Sequence, residues 1–232
     1  MKKIFILHGW TYSLEKWKAI VGLLNRDGVE AVMLKIPGLT VPHEKVWQLG
    51  DYVEWVKDQL KDEKEPIVLL GHSNGGRISI AFAAKYPEKV RKLVLIDAAG
   101  IYHNEFRIRL KRFVFGKLAK LGRGLSDSET LRNMLYKFAR TSDYQKADPI
   151  LRKTMINLIR TDISNLFAKI SAPTTIIWGE MDEATPLGDG EIMHEKIKNS
   201  KFFVIRGAKH SPHFTHVEEV EEIILRELRV ES

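Results

Sequence analysis

The stretch "VLLGHSNGGRIS", residues 68–79, runs from a continuous apolar segment into a cluster of small residues around Ser73. Gly71 and Gly75 stand two positions on either side of that serine. An apolar run of this kind reads as a strand buried on both faces of a parallel sheet. The small-residue segment that follows, "GRISIAFAAKYP", reads as a helix ended before Pro87. Ser73 therefore sits where a strand turns sharply into a helix. Such a turn brings backbones together, and a Cβ at either glycine would crowd it. Either the turn happens to contain a serine, or it exists to present one, and the rest of the chain decides.

Strand and helix signals alternate around this junction. Upstream, "KKIFILHG" is a short buried run, and "TYSLEKWKAIVGLLNRDG" carries Leu14, Trp17, Ile20, Val21 and Leu24 at helical spacing before stopping at Gly28. "VEAVMLKIPG" reads as a second strand and "VWQLGDYVEWVKDQLKDE" as an amphipathic helix. Downstream, "VRKLVLIDAAG" is a fourth strand. After Gly100 the pattern changes: residues 101–168 read as helical and basic, with no convincing strand. Then "TTIIWGE", "GEIMHEKIKNS", "KFFVIRGAKH" and "HVEEVEEIILRELRV" give strand, helix, strand and terminal helix. Strands alternating with helices imply a parallel sheet with right-handed crossovers. The expected organisation is a core of residues 1–100 and 169–232, with residues 101–168 inserted between the fourth and fifth strands.

In open sheets of this type, ligands bind outside the carboxyl ends of the strands. The polar residues expected there are His8 in "HGW", Ser73, Asp97, Asp182 in "WGEMDEATP" and His210 in "GAKHSPH". A serine hydroxyl becomes a good nucleophile only when a base takes its proton, and histidine titrates near neutral pH. A carboxylate is needed to hold the imidazole in the right tautomer and to stabilise its cation. The turn also leaves the backbone N–H of Asn74 at a helix start, aimed where an oxyanion would form, and the N–H of Trp10 is the second donor expected.

Bulk composition narrows the chemistry. The chain has 232 residues, 44% hydrophobic and 29% charged, and no cysteine, so disulfides, thiolate metal sites and a cysteine nucleophile are excluded. The apolar run in "MKKIFILHGW" is too short for a signal peptide, and no segment reaches the ~20 apolar residues of a membrane span. A cytoplasmic location is expected. The net charge of +7 is concentrated: residues 101–169 hold 15 Lys/Arg against 6 Asp/Glu, a local net of +9. There, "FRIRLKRFVFGKLAKLGRG" mixes basic residues with Phe106, Phe113 and Phe115. An amphipathic helix with its aromatics over the pocket is the preferred reading, and contact with an anionic surface is the alternative. The pair His210/His213 raises a metal site, but no third ligand has suitable spacing, so neither a metal nor a cofactor is expected.

The motifs "HGW", "GHSNGG", "WGEMDEATP" and "GAKHSPH", in this order and on this alternation, resemble the α/β-hydrolases over almost the whole chain. The resemblance implies a serine hydrolase with Ser73 as nucleophile, His210 as base and Asp182 as the orienting acid, under a helical cap formed by residues 101–168. Asp97 is the alternative acid, because a carboxylate after the preceding strand reaches the same histidine in some relatives. The antiparallel strands that usually precede the His-Gly strand are missing, so a roughly six-stranded sheet is expected. The expected reaction is hydrolysis of carboxylic esters of small to medium acyl groups through an acyl-serine. C–C bond, lactone or thioester hydrolysis on the same scaffold is the alternative, and a non-catalytic ligand-binding protein ranks below both. The expected partner is a small-molecule ester, with no nucleic acid; oligomeric state is left open.

Overall fold

The computed structural model describes residues 2–11, 13–103 and 149–229. Six strands form one parallel sheet: β1 (Lys2–Leu7), β2 (Val29–Met33), β3 (Ile67–His72), β4 (Val90–Ile96), β5 (Thr174–Gly179) and β6 (Ser200–Ile205), in the order β2-β1-β3-β4-β5-β6. The strand count and the parallel sense agree with the sequence expectation. All six residues of β3 are buried, as its unbroken apolar run requires. Its register against β1 pairs Leu7 with Gly71, and against β4 it pairs His72 with Ile96. These pairings place the ends of the three central strands side by side.

The helices among the described residues are α1 (Lys18–Arg26), α2 (Leu49–Gln59), α3 (Asn74–Lys85), α4 (Pro149–Arg160), α5 (Leu187–Lys196), the short α6 (Pro212–Thr215) and α7 (Val217–Arg229). Period-two alternation along the strands divides the core. Phe5 and Leu7 face the layer that holds Tyr52, Val56, Ile78, Phe82 and Leu158. Ile4 and Ile6 face the layer that holds Trp17, Ile20, Leu24, Val220 and Leu228. Helices α2, α3 and α4 therefore cover one face of the sheet, and α1 and α7 the other.

A 3-10 turn, Glu15–Trp17, leads into α1 and buries Trp17. Helix α5 begins three residues before the expected "GEIMHEKIKNS", because Pro186 stops the preceding loop and Asp189 favours a helix start at Leu187. The chain leaves the sheet after β4 and returns through α4 and a 3-10 segment, Ser164–Lys169. The two ends of this excursion are pinned together: Ile163 N donates to Gly100 O at 2.9 Å, and Tyr102 N to an Asp162 carboxylate oxygen at 2.7 Å. Phe106, Phe113, Phe115 and most of the basic segment lie outside the described residues. No helix among the described residues is long and apolar enough to cross a membrane.

Candidate active site

Ser73 occupies the turn between β3 and α3 at φ 53°, ψ −120°. A non-glycine residue at positive φ costs of order 1–3 kcal/mol and persists only where its surroundings enforce it. Here Ser73 N donates to Ile96 O at 3.1 Å, and Ser73 O accepts from Ala99 N at 2.9 Å and from Arg77 N at 3.2 Å. The flanking glycines have no room for a side chain. A Cβ on Gly75 would lie 2.0 Å from Leu7 O, and one on Gly71 2.6 Å from Gly76 Cα. The turn is tight because β1, β3 and α3 converge on it.

The acid and the imidazole come from the next two strand ends. Asp182, after β5, turns back on its own loop: Oδ1 accepts from Ala184 N at 2.7 Å and from Thr185 N at 3.2 Å. Its Oδ2 accepts from Thr185 Oγ1 at 2.6 Å and from His210 Nδ1 at 2.7 Å. With Nδ1 donating to the carboxylate, His210 Nε2 is the free acceptor. It lies 3.0 Å from Ser73 Oγ. A continuous path therefore runs from the Ser73 hydroxyl through the imidazole to a buried carboxylate. Burial would raise the Asp182 pKa, but the hydrogen bonds from His210, Thr185 and Ala184 outweigh it and hold the group below its ordinary value. Asp182 is thus anionic beside the ring it orients.

Asp97 is placed differently. It is fully buried, and its carboxylate accepts from Gly179 N at 2.8 Å and from Ser211 N at 2.7 Å. Burial pushes its pKa up to about 7, against the pull of those two N–H groups. The His210 bond goes to Asp182, so the arrangement favours Asp182 over Asp97 as the orienting acid.

The loop after β1 lies against the serine. A Cβ on Gly9 would stand 2.9 Å from Ser73 Cβ, and Trp10 follows it, half-buried against the core. His8 donates from Nδ1 to Gly9 O at 2.8 Å, and its Nε2 lies 3.2 Å from Thr40 Oγ1, so it braces this loop. Asn74 is the first residue of α3, and N–H groups in a first helical turn have no intrahelical partner. Trp10 and Asn74, the residues expected to supply the oxyanion donors, thus lie in the loop against the serine and directly after it.

Two further histidines are buried near His210. His213 is fully buried on α6, 4.3 Å from the ring centres of both Trp17 and His72. His72 is also buried, 5.0 Å from the His210 ring. Burial lowers the pKa of both well below the ordinary value, reinforced by the neighbouring imidazoles. His72, Asp97 and His210 bring one ligand atom each within 4.8 Å of one another. The Asp97 and His210 atoms are already engaged by backbone N–H groups, Asp182 and Ser73.

Sequence reasoning missed Thr185 and Ser211. Thr185 Oγ1 bonds Asp182, and a hydroxyl three residues after an aspartate is the signal that could have found it. Ser211 sits at φ 117°, ψ 58°, and no local pattern marks it.

The family model for the alpha/beta hydrolase fold matches residues 3–154. The chain is 24% identical over 241 residues to a pimeloyl-[acyl-carrier protein] methyl ester esterase of Neisseria meningitidis serogroup B, covering 94% of this chain and 89% of that protein. It is 26% identical over 243 residues to the monoacylglycerol lipase ABHD6 of Mus musculus, covering 90% of this chain and 70% of that one. Among solved structures, an alpha/beta hydrolase enzyme from lagoon-sediment metagenome superposes with a TM-score of 0.73 at 22% identity, covering 99% of this chain and 91% of the other.

Proposed function

Because this chain belongs to the α/β-hydrolase fold family, we propose that it is a serine hydrolase cleaving carboxylic esters of small to medium acyl groups. The observation that carries this reading is the bonded series Ser73 Oγ, His210 and Asp182, at 3.0 and 2.7 Å. The names of its relatives, a methyl ester esterase and a monoacylglycerol lipase, support the ester bond as the bond cleaved.

The geometry maps onto acyl transfer step by step. Ser73 Oγ attacks the ester carbonyl carbon while its proton passes to His210 Nε2. The carbonyl oxygen becomes an oxyanion and takes hydrogen bonds from the N–H groups of Trp10 and Asn74. Asp182, kept ionised by its own hydrogen bonds, stabilises the imidazolium. His210 then gives the proton to the departing alkoxide, leaving an acyl-serine. A water, deprotonated by His210, attacks that ester, and collapse of the second tetrahedral intermediate releases the acid and restores Ser73. Residues 101–168 act as the cap in this reading, supported by the pinned ends at Gly100/Ile163 and Tyr102/Asp162 and by the bond from Trp47 N to Thr154 Oγ1 at 3.0 Å.

The deciding experiment is hydrolysis of p-nitrophenyl esters from acetate to decanoate by wild type and Ser73→Ala. Turnover that peaks at short or medium chains and vanishes in the folded variant is expected. Retained turnover in Ser73→Ala would remove Ser73 from the chemistry.

A further inference from the structure

The side chain of Asn74 is unexplained by the triad. Only its backbone N–H has a part in the mechanism above. The side chain is 2% exposed, and its amide nitrogen is buried with no hydrogen-bond partner among the described residues. A buried, unbonded amide donor costs free energy and is uncommon without a purpose.

Its direction follows from helix geometry. Gly75 presses on the end of β1, where its Cβ would meet Leu7 O and His8 O, and Gly76 presses on Ala98 after β4. Successive residues are turned by about 100°, so Asn74 lies roughly 150° from the bisector of these two directions. It therefore projects away from the sheet. Arg77, three residues on, shares its face. The Arg77 guanidinium donates to Thr161 O, in the segment that follows α4. Asn74 thus lies, next to Ser73, on the side of α3 that meets the segment after α4. A substrate whose carbonyl oxygen meets the Asn74 backbone N–H would bind at the residue that carries this amide.

We propose that the Asn74 side-chain amide is a substrate-recognition group that hydrogen-bonds a hydroxyl or carbonyl oxygen about three or four bonds from the scissile ester carbon. The inference rests on the serine-hydrolase reading and names its substrate class: oxygen-bearing esters over plain alkanoates. The amide offers both a donor and an acceptor, so it suits a hydroxyl in either sense and a carbonyl through Nδ2.

Two isosteric pairs test it on wild type and Asn74→Leu. Methyl 3-hydroxybutanoate against methyl 3-methylbutanoate places the oxygen on the acyl side. 2-Hydroxyethyl butanoate against propyl butanoate places it on the alcohol side. The readout is the hydroxyl preference in kcat/KM of wild type divided by that of the variant. This quotient cancels the hydroxyl's own effect on ester reactivity and any general loss of rate. A quotient of about ten in at least one pair is expected. A quotient of one in both pairs overturns the proposal, and Asn74→Ala gives the same test if the leucine variant does not fold. Loss of p-nitrophenyl acetate turnover in Ser73→Ala, with a quotient of one, would refute this inference alone. Absence of turnover on every ester would refute the ester-cleaving reading itself.

Discussion

Replacing His213 by phenylalanine should flatten the acid side of the stability curve by a calculable amount. His213 is fully buried, its two ring nitrogens have no hydrogen-bond partner among the described residues, and burial holds its pKa well below the ordinary 6.5. The sign follows. The unfolded chain takes up a proton as pH falls through about 6.5, and the folded chain does not, so stability present above that value is lost on acidification. Integrated from pH 7 to 5.5, one such group removes about 1.3 kcal/mol. His72 acts in the same direction, and Asp97, raised to about 7 by burial, acts in the opposite one. Wild type alone is therefore uninformative, whereas the difference between wild type and His213→Phe isolates one imidazole. Phenylalanine keeps the packing on Trp17 and Phe214 and forfeits no hydrogen bond seen here. The assay is urea unfolding at the two pH values, followed by tryptophan fluorescence, since Trp17 lies 4.3 Å from the His213 ring. The variant should lose about 1.3 kcal/mol less than wild type between them. Parallel losses, within about 0.3 kcal/mol, would refute the claim that His213 is held neutral by burial.

Asp182→Asn should lower kcat by several orders of magnitude, since the amide cannot hold His210 in the working tautomer. Asp97→Asn should cost less; the reverse order of kcat values would transfer the role of acid to Asp97. Thr185→Val removes the 2.6 Å bond to Asp182 Oδ2 and should reduce kcat about tenfold with little change in KM. Gly75→Ala puts a Cβ 2.0 Å from Leu7 O, so a loss of about 1–3 kcal/mol in thermal or urea unfolding is expected together with reduced activity. An active, fully stable alanine variant would show that the turn has more room than its backbone suggests.

Much of the architecture could be read from local pattern, and the reason is visible strand by strand. β3 is buried along its whole length, so its apolar run is unbroken. α7 alternates "EEVEEIILRELR" so that Val220, Ile224 and Leu228 face the core. Ser73, Asp182 and His210 were legible because each sits at a strand end, where short motifs mark the turn. What sequence could not show is set by contacts between distant segments. The burial of His213 depends on Trp17, nearly two hundred residues away in the chain. The strain at Ser211 depends on a bond from its N–H to Asp97. The side-chain direction of Asn74 depends on which strands α3 presses against.

The segment after β4 explains why three loops from different strands meet within hydrogen-bond distance. Ile96 O takes the Ser73 N–H, and Ala99 N returns a bond to Ser73 O, which fixes the elbow. Asp97 O accepts the Thr185 hydroxyl at 3.2 Å, tying in the Asp182 loop. The Asp97 carboxylate takes the N–H of Gly179, at the end of β5, and that of Ser211, beside His210. Asp97 itself is at φ 43°, and Ser211 at φ 117°, so two unfavourable backbone conformations are locked by one bond. Three residues at the end of β4 and just after it, Ile96, Asp97 and Ala99, thus hold the proposed nucleophile, acid and base in mutual register. Each oxygen of the Asp97 carboxyl accepts one backbone N–H, and above its pKa of about 7 these become charge-assisted bonds, which are shorter and stronger. An acidic residue at position 97 thus ties these loops together, which accounts for its presence beside the site without the ring-orienting role proposed for Asp182.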